Sequence, residues 1–239
     1  MKLKTLVATM ALTCASSVAL AQNYNFEVGV NYTDVDHDAG GSDDYFGVYG
    51  RYYFQEVRPG NNPLAEAAFI NRASNAYVIG NNDLDVVNAG VEFYLPDTIF
   101  YGAAEIQRQD YDGQSTENDW GVRLGVTPLA GLRVWTVYWD EPGYDANIHA
   151  KYVVPLGGGN FLNVEGGYSD YDAHDEFYLA GDFYFDRTFS VGAGFKDHDD
   201  DDGFMLRARK FFTPEISGQL EFTKWDNADV ISVGASFRF

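Results

Sequence analysis

Tyr24, Phe26, Val28, Val30 and Tyr32 are apolar at every second position, with Asn25, Glu27, Gly29, Asn31 and Thr33 between them. A period of two is the repeat of a strand with one apolar face, and it cannot be laid onto a helix. The repeat returns at Phe46, Val48, Tyr52 and Phe54, at Trp120, Val122, Leu124 and Val126, and at Ile148, Ala150, Tyr152 and Val154. It closes the chain at Ile231, Val233, Ala235, Phe237 and Phe239. Fourteen runs begin near Asn23, Asp44, Pro63, Asp83, Thr98, Asp119, Gly131, Tyr144, Asn160, Asp175, Arg187, Asp202, Pro214 and Ala228. Most are about ten residues long, the length of a tilted strand that crosses a bilayer. Residues 63–75 and 131–140 alternate poorly, so twelve strands is the alternative count.

The connections come in two alternating kinds. One series is acidic: Asp34–Asp44, Asn75–Asp85, Asp110–Asp119, Asp140–Asp145, Asp170–Glu176, Asp197–Asp202 and Asp226–Asp229. The other is short and built from Pro, Gly, Asn and Arg, as in Val57–Asn61, Pro96–Thr98 and Pro155–Gly159. Of the 36 acidic residues, 25 fall in the first series and only 4 in the second. In an up-and-down barrel successive connections lie at alternate rims, so the pattern gathers the acid on one rim. An outer-membrane barrel has that polarity: short periplasmic turns at one end and polar loops outside. Aromatics flank both series, Phe54, Phe93, Tyr94, Tyr101 and Phe211 by the turns, Phe46, Trp120, Trp139, Tyr168 and Trp225 by the acidic loops. Two such belts suit rings at two headgroup layers. The expected fold is all-β, a transmembrane up-and-down antiparallel barrel with its termini periplasmic.

Composition narrows the function classes. A net charge of -20 argues against a nucleic-acid partner, which demands a basic surface. An apolar content of 46% with 16% aromatics is too high for an acidic disordered chain. Residues 1–21 carry Lys2 and Lys4, an apolar stretch from Leu6 to Leu20, and Ala19-Leu20-Ala21, the three parts of a signal peptide cleaved near Ala21. The only cysteine, Cys14, lies inside it, so residues 22–239, expected to form the barrel, hold no thiol.

The chain ends Val233-Gly234-Ala235-Ser236-Phe237-Arg238-Phe239. With Phe237 and Phe239 on an alternating terminal strand, it resembles the assembly signal of bacterial outer-membrane proteins. Together with the whole-chain pattern, the protein resembles the small general porins of Gram-negative bacteria. The resemblance implies the outer membrane as location. It also implies recognition by the barrel-assembly machinery, contact with lipid and lipopolysaccharide, and passive diffusion of small hydrophilic solutes. The chain is shorter than the trimeric porins and shows no connection long enough for a constriction loop, so a monomer is expected rather than a trimer.

Fourteen strands enclose more space than side chains fill. Charges out of phase with the apolar sets are expected on the inner face: Glu27, Glu66, Glu92, Glu105, Glu165, Asp182 and Glu221, with Arg51, Arg72, Arg123, Lys151, Lys196, Arg207, Arg209 and Arg238. So many charges need water beside them, because dry burial is prohibitive. Glu27 and Arg51 are equidistant from residue 39 and are expected to face each other across the first hairpin. Arg207 and Arg209 lie two residues apart on one inward face, and one reading makes them a positive ladder that faces acids elsewhere on the wall. The run Asp199-Asp200-Asp201-Asp202 offers oxygens suited to calcium, but it lacks the Gly and terminal Glu of an EF-hand and reads better as solvated charge. No cofactor is expected. His37, His174 and His198 stand among acids, which keeps open an outer-membrane barrel enzyme, and an adhesin or structural barrel with a plugged lumen is the remaining alternative. No motif fixes a reacting geometry for the enzyme. The acidic rim should make the pore mildly cation-selective.

Overall fold

The structure, a computed structural model, describes residues 23–81, 84–110, 115–140, 144–171, 175–198 and 201–239; the signal segment lies outside them. The strands are β1 Tyr24–His37, β2 Ser42–Val57, β3 Asn75–Asn81, β4 Val86–Tyr94, β5 Phe100–Gln109, β6 Glu117–Val126 and β7 Leu132–Trp139. They continue as β8 Tyr144–Gly157, β9 Asn160–Tyr171, β10 Asp175–Asp186, β11 Phe189–His198, β12 Asp201–Phe211, β13 Ile216–Trp225 and β14 Ala228–Arg238. Each pairs antiparallel with its neighbours in sequence, and β1 pairs with β14 to close a fourteen-stranded barrel. The terminal Phe239 completes the seam: its N–H donates to Phe26 O at 3.0 Å, and the Phe26 N–H donates to Phe239 O at 2.9 Å. The Phe26 and Phe239 rings stack outside this joint, 5.2 Å between centroids. A closed barrel is the β architecture that leaves no unpaired edge in lipid.

The outer face carries a broad apolar band. Phe26, Val28, Val48, Ile106, Leu124, Ile148, Leu179, Leu206 and Val233 are all exposed, Leu124 by 65%. Patches of this extent do not face water in a monomer and identify a lipid-covered surface. Aromatic clusters mark the two ends. Phe54 stacks on Phe93 and Phe185 on Phe189 near the short turns, while Trp120 packs on Tyr138 near the loops. Other aromatics of the expected belts point inward instead. Tyr101 and Phe211 are buried, and Trp139 and Trp225 lie flat on the inner wall. That posture needs glycine beneath the ring: a Cβ on Gly121 would stand 2.9 Å from Trp139, and one on Gly203 2.7 Å from Trp225. Period two gives the inner face, but ring size does not say which of the two faces an aromatic serves.

One expected strand is absent. The run from Pro63 is not β3; it forms a 3-10 turn at Leu64–Glu66 followed by a single helical turn, α1, at Ala67–Ile70. The true β3, Asn75–Asn81, occupies part of what reads as an acidic connection. Pro63 has no N–H for a sheet ladder, and Ala65–Ala68 is a run of helix formers, so the poor alternation there was a real signal. Arg72, at φ 51°, turns the chain back toward β3. The other weak run, residues 131–140, does form a strand, β7. Its alternation is blurred because Trp135, Val137 and Trp139 are apolar on the inner face too.

Beyond Trp135↔His149 the β7–β8 ladder is continued by a side chain. The Val137 N–H donates to Asn147 Oδ1 at 2.7 Å, and Asn147 Nδ2 donates back to Val137 O at 2.6 Å. The carboxamide takes the place of a peptide group. Asn147→Ala removes both bonds and leaves a backbone donor and acceptor without partners, so a loss of about 2 kcal/mol is expected. Denaturant midpoints of the folded barrel in micelles measure it; an unchanged midpoint would show that water replaces the amide.

Candidate functional site

The inner face is a set of charge networks built by strand alternation. Around Glu92 on β4, Tyr101 Oη donates at 2.7 Å and Asn75 Nδ2 at 2.9 Å. Arg51, Arg123 and Arg133 surround the same carboxylate at 3.7–3.8 Å. Glu105 on β5 receives Arg123 at 2.5 Å and Tyr77 Oη at 2.6 Å. On the far side Arg207 of β12 reaches Asp182 at 2.5 Å and Glu165 at 2.6 Å. At the seam Arg238 Nε donates to Glu27 Oε2 at 2.6 Å, and Tyr49 Oη donates to Glu27 Oε1 at 2.8 Å. Each of these carboxylates thus accepts at least two hydrogen bonds or ion-pair contacts from the wall around it.

Residues 58–74, between β2 and β3, leave the wall and cross the barrel. Strand order puts β2 and β3 half the ring away from β9 and β10. The segment nevertheless reaches the β10–β11 turn, where the Leu64 N–H donates to Arg187 O at 2.8 Å and Arg187 Nε donates to Asn62 O at 3.2 Å. Glu66 receives Lys151 of β8 at 3.1 Å and Tyr184 of β10 at 2.7 Å. Arg238 Nη1 donates to Leu64 O at 2.7 Å, and Arg72 Nη2 donates to Thr127 O at 2.8 Å. On its near side the segment buries Ala67 and Ala73 against Tyr24, Tyr53 and Val57, a small apolar core inside an otherwise polar lumen. It lies at the end that holds the short turns, where β1 begins and β14 ends. The expectation that no connection is long enough for a constriction loop is therefore corrected: the stretch that reads as a short Val57–Asn61 turn opens a long inward segment.

The structure places Glu27, Arg51, Glu92, Glu105, Arg123, Lys151, Glu165, Asp182, Lys196, Arg207, Arg209, Glu221 and Arg238 on inner faces of strands. Glu66 and Arg72 are corrected: they sit on the crossing segment, not on a strand. Glu27 and Arg51 are opposite in register, as expected, yet they take different partners, Arg238 and Glu92. The bulge at Tyr24/Phe26 lies beyond them and leaves that register intact. Arg207 does meet acids of other strands, Asp182 and Glu165, while Arg209 donates to the neutral Gln219. Arg133 was missed. It alternates with Leu132 and Val134, but the weak periodicity of that run hid it. Its guanidinium lies 4.4 Å over Tyr101 and 4.5 Å over Trp135.

At the loop rim, His37 meets Asp43 at 3.1 Å. His174, the His198 side chain, Asp199 and Asp200 lie outside the described residues. Asp201 and Asp202 begin β12, and Asp201 accepts the Asp226 N–H at 3.0 Å. Among the described residues no group of three His, Cys, Asp or Glu side chains is arranged to hold a metal ion. His149 stacks against Trp135 and Tyr178 on the inner wall.

A closed antiparallel barrel with a lipid-suited exterior and a charged interior is a channel of the outer-membrane porin class. The chain belongs to the family described as "putative general bacterial porin", whose model it matches over residues 1–122 and 124–239. No curated protein matches its sequence. Among solved structures it is similar to the outer membrane protein Omp33 of Acinetobacter baumannii, at 24% identity and TM-score 0.76, over 92% of this chain and 100% of that one. It is also similar to a mutant of Rh. blastica porin, at 9% identity and TM-score 0.51, over 90% and 99% of the two chains. These two likenesses concern the fold.

Proposed function

We infer that this outer-membrane channel works by passive diffusion of small hydrophilic solutes, without covalent chemistry, and that it favours cations mildly. The observation that carries the reading is the charged inner wall: buried dry, so many ions would unfold the barrel, so water fills the lumen between them. Residues 58–74 narrow the turn end, and the acidic rim concentrates cations at the loop end. Short turns at one end and polar loops at the other favour periplasmic termini. Export with cleavage near Ala21, insertion through the terminal Phe239 strand, contact with lipopolysaccharide and a monomeric state complete the proposal.

Single-channel conductance of the mature protein in a planar bilayer tests it. Discrete, nearly ohmic steps are expected. In a salt gradient at about 0.01 M the reversal potential takes the sign of cation preference. It shrinks toward 1 M, as the screening length falls from about 30 Å to about 3 Å. An anion-selective potential overturns the selectivity, and a folded barrel that carries no current overturns the pore.

A further inference from the structure

Beside the crossing segment the lumen holds a cavity of about 420 Å³, lined by Glu66, Lys151, Glu165, Asp182 and Arg207 and also by Arg209 and Glu221. The first five satisfy one another. Lys151 stands 3.0 Å from Glu66, and Arg207 stands 2.5 Å from Asp182 and 2.6 Å from Glu165. Arg209 and Glu221 do not. Glu221 faces Arg207 across the β12–β13 register, but Arg207 is drawn the other way, toward β10 and β9. Among the described residues Glu221 makes no ion pair or hydrogen bond, and Arg209 makes no ion pair: it donates to the neutral Gln219 opposite it and meets the Glu27 carboxylate only at longer range. One cation and one anion therefore line the same water-filled space on adjacent strands, in diagonal register and not joined to each other. Diagonal neighbours in a sheet stand about 7–8 Å apart at the backbone, close enough that one small solute lying in the cavity can meet both heads.

We propose that this cavity is a solute subsite for small zwitterions, free α-amino acids above all, with Arg209 taking the carboxylate and Glu221 the ammonium. The inference deepens the diffusion reading by naming a solute class. A cation alone would leave Arg209 unanswered, and an anion alone would leave Glu221 so. A zwitterion answers both charges and adds no net charge to the lumen. Ser232, opposite Glu221 in the β13–β14 register, also lines the cavity and supplies a hydroxyl. Each charge-assisted hydrogen bond contributes about 1.5–3 kcal/mol in a site partly shielded from water, so losing either one weakens binding about tenfold or more.

Saturation-transfer NMR on the folded mature barrel in an amine-oxide detergent tests this with three probes: alanine, N-acetyl-alanine and alaninamide. Alanine should saturate the signal in the millimolar range, and the two singly charged analogues should bind about tenfold more weakly. Glu221→Gln and Arg209→Gln should each abolish the preference for alanine while the barrel keeps its heat-modifiable mobility on gels. No alanine signal, an equal signal from either analogue, or an unchanged preference in Glu221→Gln overturns the assignment. The binding readout needs no current, so a silent bilayer would count against the diffusion reading alone.

Discussion

Replacing residues 55–73 with an Asn-Gly turn raises single-channel conductance several-fold. The splice is geometrically simple, because Tyr53 already pairs with Asn75 and the Phe54 N–H already donates to Ser74 O at 2.9 Å. A two-residue turn of that composition matches the twist of a hairpin. The deletion removes the part of the chain that spans the turn end from β2 to the β10–β11 turn. What it leaves behind remains solvated or paired: Lys151 keeps Glu165 at 3.6 Å, and Arg238 keeps Glu27 at 2.6 Å. The deletion does cost the small core around Val57 and Ala67, where one fully buried valine is worth about 1.5–3 kcal/mol. The variant should therefore be less stable as well as more conductive. Equal conductance in parent and variant would place the narrowest point of the path elsewhere in the lumen.

The crossing segment also shows where sequence stops being informative. Alternation is local, and a strand with one face in lipid and one in water must show it, so β1, β2, β6, β8 and β14 are legible from four or five residues each. The inner charges are legible for the same reason. Their partners are not: Arg238 and Glu27 stand at opposite ends of the chain, and only closure of β14 on β1 brings them together. Arg207 illustrates the limit. Period two gives its face, but whether it turns to Glu221 on β13 or to Asp182 on β10 depends on where the other carboxylates of the ring fall. Residues 63–70 failed the strand pattern because they are no strand, and nothing local says that a Pro-Leu-Ala-Glu stretch folds into the barrel and not away from it. Its anchors, the Arg187 carbonyl, Tyr184 and Lys151, are supplied by strands far along the chain.

Arg238→Ala is the point substitution expected to destabilise the barrel most. Its side chain is 4% exposed, and it ties three parts of the molecule together. Nε holds Glu27 across the closing seam, Nη1 holds the Leu64 carbonyl of the crossing segment, and the guanidinium lies 4.8 Å over Tyr24 and 4.6 Å over Phe211. Truncation leaves Glu27, 13% exposed, with Tyr49 as its remaining hydrogen bond and without its ion pair. Removing one partner of a buried pair costs about 3–5 kcal/mol, and the water of the lumen should hold the loss near the lower figure. Glu27→Gln combined with Arg238→Ala should then cost less than the two single changes added, because the stranded charge is gone. Urea unfolding in lipid vesicles, followed by tryptophan fluorescence, measures all three variants. The two-sided tie carries a second consequence. With the Leu64 carbonyl released, the crossing segment loses its anchor at the seam, and current through Arg238→Ala should fluctuate between levels that the parent does not visit. A loss below about 1 kcal/mol with quiet current would mean that the seam holds through its backbone ladder and that Arg238 adds little beyond its packing.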